Sequence, residues 1–359
     1  MTVASPKSVF VLRNNDLGDV LLVTPLLHAL RRAFPEARLL LGVGDWASSF
    51  LDGNPDLDEL LPMNAPWHNK RNCRFPANSP RTFLEGLLYV LFSGEARNLA
   101  RKRASHGIDI LGSRQGSWLL RRARIPNRHG VRGYAGGENW CKSCVPFQED
   151  RNVAEAALAF LSLLGVENPP EVEPRPRIFL SKAEETEAEG RWGSRVSSGS
   201  LRIVLAPGAG FPEKCWGDES FSRLASLLLE RTSHQLAVIG GPEDAERINT
   251  TEAPAASKRL ADHCGSLSLR QSASLVAKAD FVLTNTTVTM HIAGAFRIPS
   301  LTLLGAWYES AKLHAKQWGY QEGQVLGPEK AEGRTSPLAP EEAFDAFVRQ
   351  TNSLSSLAS

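Results

Sequence analysis

One turn in the second half of the chain carries residues suited to binding an anion. Residues 207–217 are rich in glycine and proline and include one lysine, Lys214, and one tryptophan, Trp216. An apolar run at 201–205 comes before the turn, and Asp218 opens a helical pattern after it. We therefore expect the turn at the carboxyl end of a parallel strand, just before a helix N-terminus, where open α/β sheets bind ligands.

Three small residues of this turn, Gly208, Ala209 and Gly210, would leave backbone N–H groups open to a bound anion. Lys214 could neutralise one negative charge of a pyrophosphate held there. A tight strand-to-helix connection with a surface lysine is an equally simple interpretation of the same residues. The turn by itself leaves both interpretations open.

A second residue that could do chemistry is Asp19, which follows Gly18 near the N-terminus. A short apolar strand is predicted at 9–12, and a helical pattern follows at 19–34. A carboxylate in this place can act as a general base or as the N-cap of the helix, and the spacing alone favours the N-cap. Asp16 is a nearby competitor, which we interpret as a turn residue.

Length and composition predict a globular protein of two domains. The chain has 359 residues, of which 42% are hydrophobic and 22% charged, and we find no apolar stretch of the roughly 20 residues that span a bilayer. Residues 13–16 interrupt the N-terminal apolar run, so we expect no secretory signal and a cytoplasmic location.

The cysteines do not predict a disulfide framework. Their number, five, is odd, and Cys141 and Cys144 form a single CxxC with no second pair after it. Two ordinary thiols in a local turn are favoured over a zinc or iron site. We therefore expect no metal and no cofactor.

Positive charge is concentrated in the first half of the chain. Between residues 96 and 137 there are ten basic residues, and Asp109 is the only acidic one. Three of the arginines, Arg121, Arg122 and Arg124, are the candidates for binding an anionic partner. A phosphorylated lipid or a membrane surface is favoured over nucleic acid, because the sequence has no zinc-finger spacing and no aromatic RNA-binding motif. A solvated helix face is the simpler alternative, although it usually explains fewer charges.

Strands and helices alternate along both halves of the chain, which predicts an α/β fold with two doubly wound parallel sheets facing a cleft. The first half has predicted strands at 9–12, 37–43, 57–61 and 108–111. The proline-rich segment 168–177 is the best candidate linker. The second half has predicted strands at 201–205, 235–239, 281–284 and 300–304. These patterns give a first domain at 1–172, a second at 173–335, and a C-terminal helix and tail at 336–359, with the tail frayed from residue 350.

Several stretches, in the same order along most of the chain, resemble the lipopolysaccharide heptosyltransferases of glycosyltransferase family 9. The stretches are RNNDLGDV at 13–20 with TPLL at 24–27, PGAGFPEKCW at 207–216, VIGGPED at 238–244, GSLSL at 265–269 and MHIA at 290–293. The turn with a lysine two places before a tryptophan is most similar to the heptosyltransferase II type. The resemblance implies a GT-B fold with two Rossmann-like domains, the first binding the acceptor and the second an ADP-sugar.

The resemblance also implies a reaction and roles for single residues. An inverting transfer of heptose from ADP-heptose to the lipopolysaccharide inner core is expected, with Asp19 as general base and Gly18 beside it at the acceptor. Lys214 would stabilise the leaving diphosphate. Glu243 would contact the nucleoside, although a turn residue that caps the next helix explains it equally well. The anionic acceptor is a lipid A-core glycolipid, which implies peripheral contact with the inner membrane.

The segment 285–291 departs from the family pattern. Thr286 stands where the family usually has aspartate, and Val288 stands where it has glycine, whereas Thr287 and His291 match. Thr286 can hydrogen-bond a sugar hydroxyl without a carboxylate's charge, and Val288 would resist a positive φ. His291 on an apolar helix is more often packed than catalytic.

Two functions of different class therefore follow from the sequence. The first is a glycosyltransferase, and the second is a nucleotide- or glycan-binding protein with a degenerate donor site. An NAD-dependent epimerase is disfavoured, because no G-x-G-x-x-G follows the first strand.

Overall fold

The computed structural model describes residues 5–76, 78–245, 247–248 and 258–357, with side chains as far as 353. The chain divides into two compact units, Met1–Phe179 and Leu180–Ser359. The division falls just after the proline-rich segment 168–177, and the C-terminal helix belongs to the second unit. No helix within the described residues combines the length and the apolar character that a membrane crossing needs.

The first unit is built on a six-stranded parallel sheet with the spatial order β3-β2-β1-β4-β5-β6. The strands are β1 Ser8–Leu12, β2 Arg38–Val43, β3 Glu59–Pro62, β4 His106–Asp109, β5 Asn127–Arg132 and β6 Ser143–Pro146. In this doubly wound order the winding direction reverses between β1 and β4, so the ligand-binding switch point lies at their carboxyl ends.

Eight helices of the described chain accompany this sheet. They are α1 Leu17–Leu21, α2 Thr24–Ala33, α3 Asp45–Ser48, α4 Pro80–Phe92, α5 Gly94–Lys102, α6 Arg114–Arg122, α7 Val153–Leu158 and α8 Phe160–Leu163. The single helix predicted at 19–34 is wrong, because the structure has two helices there. Pro25 has no N–H for a continuous helix, and it lies instead in the first turn of α2, where that N–H is not needed.

The second unit repeats the same winding with the order β12-β11-β10-β7-β8-β9. Its strands are β7 Arg202–Ala206, β8 Gln235–Val238, β9 Leu260–Asp262, β10 Phe281–Thr284, β11 Ser300–Leu303 and β12 Gly323–Leu326. The switch point of this sheet lies between β7 and β10. The prediction of two doubly wound parallel sheets is therefore confirmed.

The helices of the second unit are α9 Lys182–Trp192, α10 Asp218–Arg231, α11 Leu269–Ala277, α12 Val288–Ala295, α13 Ala311–Trp318 and α14 Pro340–Leu357. The predicted fraying is wrong for residues 350–357, because α14 continues to Leu357, and the last two positions of the predicted tail lie outside the described residues. Phe344 and Phe347 anchor this helix in the apolar core of the second sheet.

Both sheets are buried on their two faces, as parallel sheets covered by helices usually are. In β1, Val9 and Val11 pack into one apolar cluster, and Phe10 and Leu12 pack into another on the opposite face. Such central strands are continuous apolar runs, which is why the sequence identified them. The strands β5 and β6 were not predicted, because their residues NRHGVR and SCVP form no such run.

Candidate active site

The turn after β1 carries Asp19 at the switch point of the first sheet. Asp19 lies in the first turn of α1, where its Oδ1 accepts a hydrogen bond of 2.7 Å from Arg13 Nη2. Arg13 Nε also donates to the backbone oxygen of Asp19 at 3.2 Å. The Arg13 side chain is only 6% exposed and that of Asp19 is 28% exposed. One carboxylate oxygen is thus fixed by a buried cation while the group as a whole still reaches solvent.

The alternative role of Asp19 as a helix N-cap is wrong. The N-cap of α1 is Asp16, and no side-chain capping bond forms there. Asp16 instead accepts a hydrogen bond from the backbone N–H of Lys70 at 3.0 Å. Asp19 is therefore not needed to begin the helix.

Two buried asparagines attach the same turn to the loop that follows β3. Asn14 Nδ2 donates to the oxygen of Trp67 at 3.1 Å, and Asn15 Nδ2 donates to the oxygen of His68 at 2.9 Å. Together with Asp16 they hold the backbone around Asp19 in one place. The four consecutive polar residues at 13–16, directly after an apolar strand, were the sequence signal that could have predicted this arrangement.

Asp109, at the end of β4, is a second acid of this switch point that the sequence analysis did not select as a site residue. It pairs in register with Leu12 of β1 and is buried. Burial raises the pKa of its carboxyl to about 6, opposed by hydrogen bonds from Ser113 and Gly112 and by the charge of Arg13. Ser113 Oγ donates to Asp109 at 3.1 Å. Through this bond to Ser113, the N-cap residue of α6, Asp109 holds the start of α6 next to the Asp19 turn.

The structure does not bring Arg121, Arg122 and Arg124 to this edge of the sheet. Helix α6 starts after the carboxyl end of β4 and returns to the amino end of β5, so its last turn lies at the opposite edge. Arg121 and Arg122 occupy that last turn, and Arg124 follows it with a φ of 58°. Gly18, by contrast, lies in α1 directly beside Asp19.

In the second unit, the turn 207–217 follows β7 at the switch point, and we call it the Lys214 turn. The buried side chain of Asn285, at the end of β10, holds this turn from inside. Its Nδ2 donates to the oxygens of Pro207 and Gly208, and its Oδ1 accepts from the backbone N–H of Trp216 at 2.9 Å. Asn285 begins the segment 285–291, but its role was not predicted from the sequence, because its partners lie some 70 to 80 positions away.

A buried carboxylate explains one glycine of the Lys214 turn and another that follows β8. A Cβ atom on Gly208 or on Gly240 would overlap the carboxyl group of Asp244. Asp244 Oδ2 accepts from the N–H of Gly241 at 2.9 Å, and its Oδ1 pairs with Arg247 at 2.9 Å. Burial raises the pKa of this carboxyl.

Glu243, the residue predicted from the sequence, is exposed beside this carboxylate. In the short 3-10 turn Pro242–Asp244, the capping bond is made by Asp244 and not by Glu243. The Glu243 carboxylate lies against Gly241 at the start of that turn, where an added Cβ would overlap it. Its contact with a nucleoside stays a prediction.

The side chain of Lys214 lies among aromatic rings. Its Nζ is 4.7 Å from the ring centre of Trp307, 5.4 Å from that of Phe211 and 6.0 Å from that of Tyr308. A Cβ on Gly305 would overlap a carbonyl oxygen of the Lys214 turn, so the loop after β11 passes directly against the turn. Cation–π attraction orients the lysine charge at this switch point. Trp307 and Tyr308 were not selected from the sequence.

The segment after β10 adopts ordinary backbone geometry although Thr286 and Val288 depart from the family pattern. Thr287 is the N-cap of α12, and its Oγ1 accepts from the N–H of Thr289 at 3.1 Å. Val288 is the first residue of that helix and needs no positive φ. The expected strain at Val288 is therefore absent. Thr286 lies close enough to Tyr308 to oppose the rise in the pKa of the Tyr308 hydroxyl that burial causes, so it borders the aromatic group around Lys214.

His291 is a packed residue in this structure. Its Nδ1 lies 2.7 Å from the Tyr320 hydroxyl, and Trp318 flanks it. Burial lowers the pKa of His291 to about 4. The imidazole is therefore neutral near pH 7 and holds the first turns of α12 against the segment after α13.

Cys141 and Cys144 are partly buried free thiols. Burial raises the pKa of Cys141 to about 12 and also raises that of Cys144. Cys141 Sγ lies 3.4 Å from Ser117 Oγ. No group of three or more metal-binding side chains occurs within the described part of the chain.

Comparisons with known proteins agree with this arrangement. The model of the family described as glycosyltransferase family 9 (heptosyltransferase) matches residues 95–334. Lipopolysaccharide heptosyltransferase 2 of Escherichia coli strain K12 is 24% identical over 319 residues, which cover 83% of this chain and 82% of the relative. Lipooligosaccharide heptosyltransferase 2 of Haemophilus ducreyi is 22% identical over 298 residues, which cover 79% of this chain and 78% of the relative.

Solved structures of such proteins have the same fold. A family 9 glycosyl transferase from Veillonella parvula superposes with a TM-score of 0.73 at 20% identity, covering 98% of both chains. The ADP-heptose lipopolysaccharide heptosyltransferase II of E. coli superposes with a TM-score of 0.70 at 18% identity, covering 96% of this chain and 98% of that one. The prediction of a GT-B fold is confirmed, and the chain belongs to glycosyltransferase family 9, the heptosyltransferases.

Proposed function

We propose that this glycosyltransferase moves a heptose from an ADP-sugar to a lipopolysaccharide inner-core acceptor, with inversion at the anomeric carbon. The observation that carries the proposal is the Lys214 turn, whose small residues and oriented lysine lie at a sheet switch point. The relatives named above are lipopolysaccharide and lipooligosaccharide heptosyltransferases, and the name of one solved relative includes ADP-heptose. The acceptor would be a lipid A-core glycolipid at the cytoplasmic face of the inner membrane.

In the proposed reaction, Asp19 acts as the general base. The acceptor hydroxyl oxygen forms a bond to the anomeric carbon while its proton passes to the Asp19 carboxylate. The bond between that carbon and the diphosphate oxygen breaks, and its electron pair stays on the diphosphate. Arg13 would orient the carboxylate through its bond to Oδ1.

Lys214 would stabilise the negative charge that develops on the leaving diphosphate. The N–H groups of Gly208, Ala209 and Gly210 would face the same group, because no side chain larger than a methyl group shields them. Glu243 would contact the ribose, and Thr286 would hydrogen-bond the sugar. Thr287 and His291 would keep α12 in position beside them.

The basic residues best placed for the acceptor lie on the Asp19 edge of the first sheet. Arg114 is exposed in the first turn of α6, at this edge, and could meet an acceptor phosphate. Arg121, Arg122 and Arg124 would have to act from the opposite edge. Their role in binding the acceptor core stays a prediction.

The test is transfer of heptose from ADP-heptose to a deacylated, water-soluble inner-core acceptor. We expect release of ADP and an acceptor heavier by one heptose residue in mass spectrometry. Tight ADP binding in calorimetry, with no gain from the sugar and no product, would instead support a binding protein with a degenerate donor site. Thr286→Asp/Val288→Gly then serves as a probe, since a large gain in rate would assign the weakness to these two positions.

A further inference from the structure

Helix α4 exposes an unusual number of large apolar side chains. Of the eleven large apolar residues exposed in the described chain, five belong to this one helix, with exposures between 39% and 66%. They are Leu84, Leu87, Leu88, Leu91 and Phe92, and we call them the α4 face. A contiguous apolar surface of this kind marks an interaction site more often than a tolerated surface.

The α4 face is a regular stripe that points away from the protein. Positions 84, 87, 88 and 91 follow the i, i+3, i+4, i+7 spacing of one helix side. The opposite side is formed by Thr82, Gly86 and Val90, which are buried. A Cβ on Gly86 would lie 2.7 Å from a side-chain carbon of Gln115, so the inner side packs closely on α6. The helix therefore buries a side that contributes only Val90, with Tyr89 beside it, to an apolar core and exposes its leucines, whereas an ordinary surface helix buries its leucines.

Exposed arginines lie on α4 itself and on the two helices that contact it, α5 and α6. Arg81 lies in the first turn of α4, and Arg97 and Arg101 lie on α5, which follows α4 through Ser93 and packs against it. The guanidinium carbon of Arg114 lies 5.0 Å from the ring centre of Phe83 on α4. Within the described residues none of these four arginines pairs with a carboxylate.

We propose that the α4 face docks on an anionic phospholipid bilayer. The leucines and Phe92 would enter the boundary between headgroups and acyl chains, and the arginines would meet the lipid phosphates. This is the arrangement of an interfacial amphipathic helix, in which apolar burial and charge attraction add. The inference deepens the proposed function, on which it rests for its purpose, because a lipid-anchored acceptor must be met at a membrane.

The place of α4 in the fold connects docking to the candidate base. The chain between β3 and α4 contains Trp67 and His68, whose oxygens accept hydrogen bonds from Asn14 and Asn15 in the Asp19 turn. Gly86 and Tyr89 of α4 pack on the Trp67 ring, so α4 lies beside the loop that holds the Asp19 turn at this edge of the sheet. Docking through α4 would bring this edge close to the lipid headgroups.

Charge argues against a second copy of this chain as the occupant. A twofold pairing of α4 faces would bring the two sets of arginines towards each other. Glu85 is the only acid of α4, and its carboxyl is half-buried, with one oxygen shielded from solvent. An anionic bilayer offers acyl chains to the leucines and phosphates to the arginines, so it matches both parts of this surface.

The test is flotation of the full chain with vesicles that contain no acceptor glycolipid. We expect binding to vesicles of phosphatidylethanolamine and phosphatidylglycerol, and weaker binding to phosphatidylcholine alone or at high salt. Leu84→Gln/Leu88→Gln/Leu91→Gln should lower the affinity at least about tenfold. Arg97→Gln/Arg101→Gln should reduce the preference for the anionic vesicles. Val196→Gln/Leu313→Gln, which alters comparably exposed apolar residues of the second unit, should bind as the wild type does.

Three results would overturn the inference. One is wild-type protein that does not float with anionic vesicles, and another is a triple variant that floats as well as wild type. The third is a wild-type dimer in sedimentation that the triple variant abolishes, since this would assign the face to a second copy. Circular dichroism and thermal melting establish that each variant is folded.

Failure of docking and failure of the proposed function give different results. The deacylated acceptor needs no membrane, so the triple variant should transfer heptose to it at the wild-type rate. Vesicle binding without transfer by the wild type would refute the transfer reaction and leave docking intact. Transfer without vesicle binding would refute docking and leave the transfer reaction intact.

Discussion

The substitution Asp19→Asn separates the chemical role of Asp19 from its structural one. The Arg13 guanidinium is almost fully buried and its charge is matched by the Asp19 carboxylate. Asp19→Ala would leave that charge without its partner, which costs about 3 kcal/mol or more in the free energy of unfolding. Loss of activity in the alanine variant could then reflect unfolding alone.

Asparagine keeps an oxygen at the Oδ1 position for the Arg13 bond but cannot take the acceptor's proton. The loss of charge assistance in that bond should lower stability by only about 1 kcal/mol. A positioned general base contributes roughly 10²- to 10⁴-fold, or about 3 to 5 kcal/mol of the activation barrier. We therefore expect a folded variant whose transfer rate falls at least about 100-fold.

The assay is ADP release from ADP-heptose with the deacylated acceptor, together with urea unfolding of the same preparations. Asp16→Asn is the matched control, because its carboxylate lies in the same turn but bonds only with Lys70 among the described contacts. That variant should retain most of the wild-type rate. Asp19→Asn protein that is folded and transfers within about tenfold of wild type would refute the assignment of the base.

Three further predictions concern other residues of the two switch points. Asn285→Ala should lower the free energy of unfolding by about 3 kcal/mol in urea titration, because it leaves the buried N–H of Trp216 and two carbonyls without partners. If the variant has the stability and the donor KM of the wild type, Asn285 does not hold the Lys214 turn. Trp307→Ala should weaken ADP binding about two- to fivefold in calorimetry, because Lys214 loses the ring that orients it, and Trp307→Phe should weaken binding less. If wild type and Trp307→Ala bind ADP equally well, Trp307 does not orient Lys214. The folded-state pKa of Asp109, about 6, lies above its unfolded value, so the stability of the wild type falls as the pH rises between the two values. Asp109→Asn lacks this loss and should gain up to about 3 kcal/mol of unfolding free energy relative to wild type between pH 4 and pH 8. A difference in urea unfolding that does not change with pH would contradict this prediction.

The sequence by itself determined the fold class and the positions of both candidate turns. Central parallel strands are buried on both faces, so they appear as short continuous apolar runs such as 9–12 and 281–284. Glycine and proline cannot continue a helix or strand, so they marked the Lys214 turn without any knowledge of its neighbours. The strands β5 and β6 lack that signal, since few of their side chains face an apolar core.

Only the tertiary structure decided which polar side chains hold these turns and which stay open to a ligand. Asn285 and the Lys214 turn are far apart in the chain, and Asp244 and Glu243 are indistinguishable by composition, yet one is buried against glycines and the other is exposed. The leucine spacing of the α4 face predicts a helix, but only the tertiary structure shows that the leucine side of this helix faces solvent and not the core. Local propensities act over a few residues, whereas burial and hydrogen-bond partnership depend on which distant segments the fold brings together.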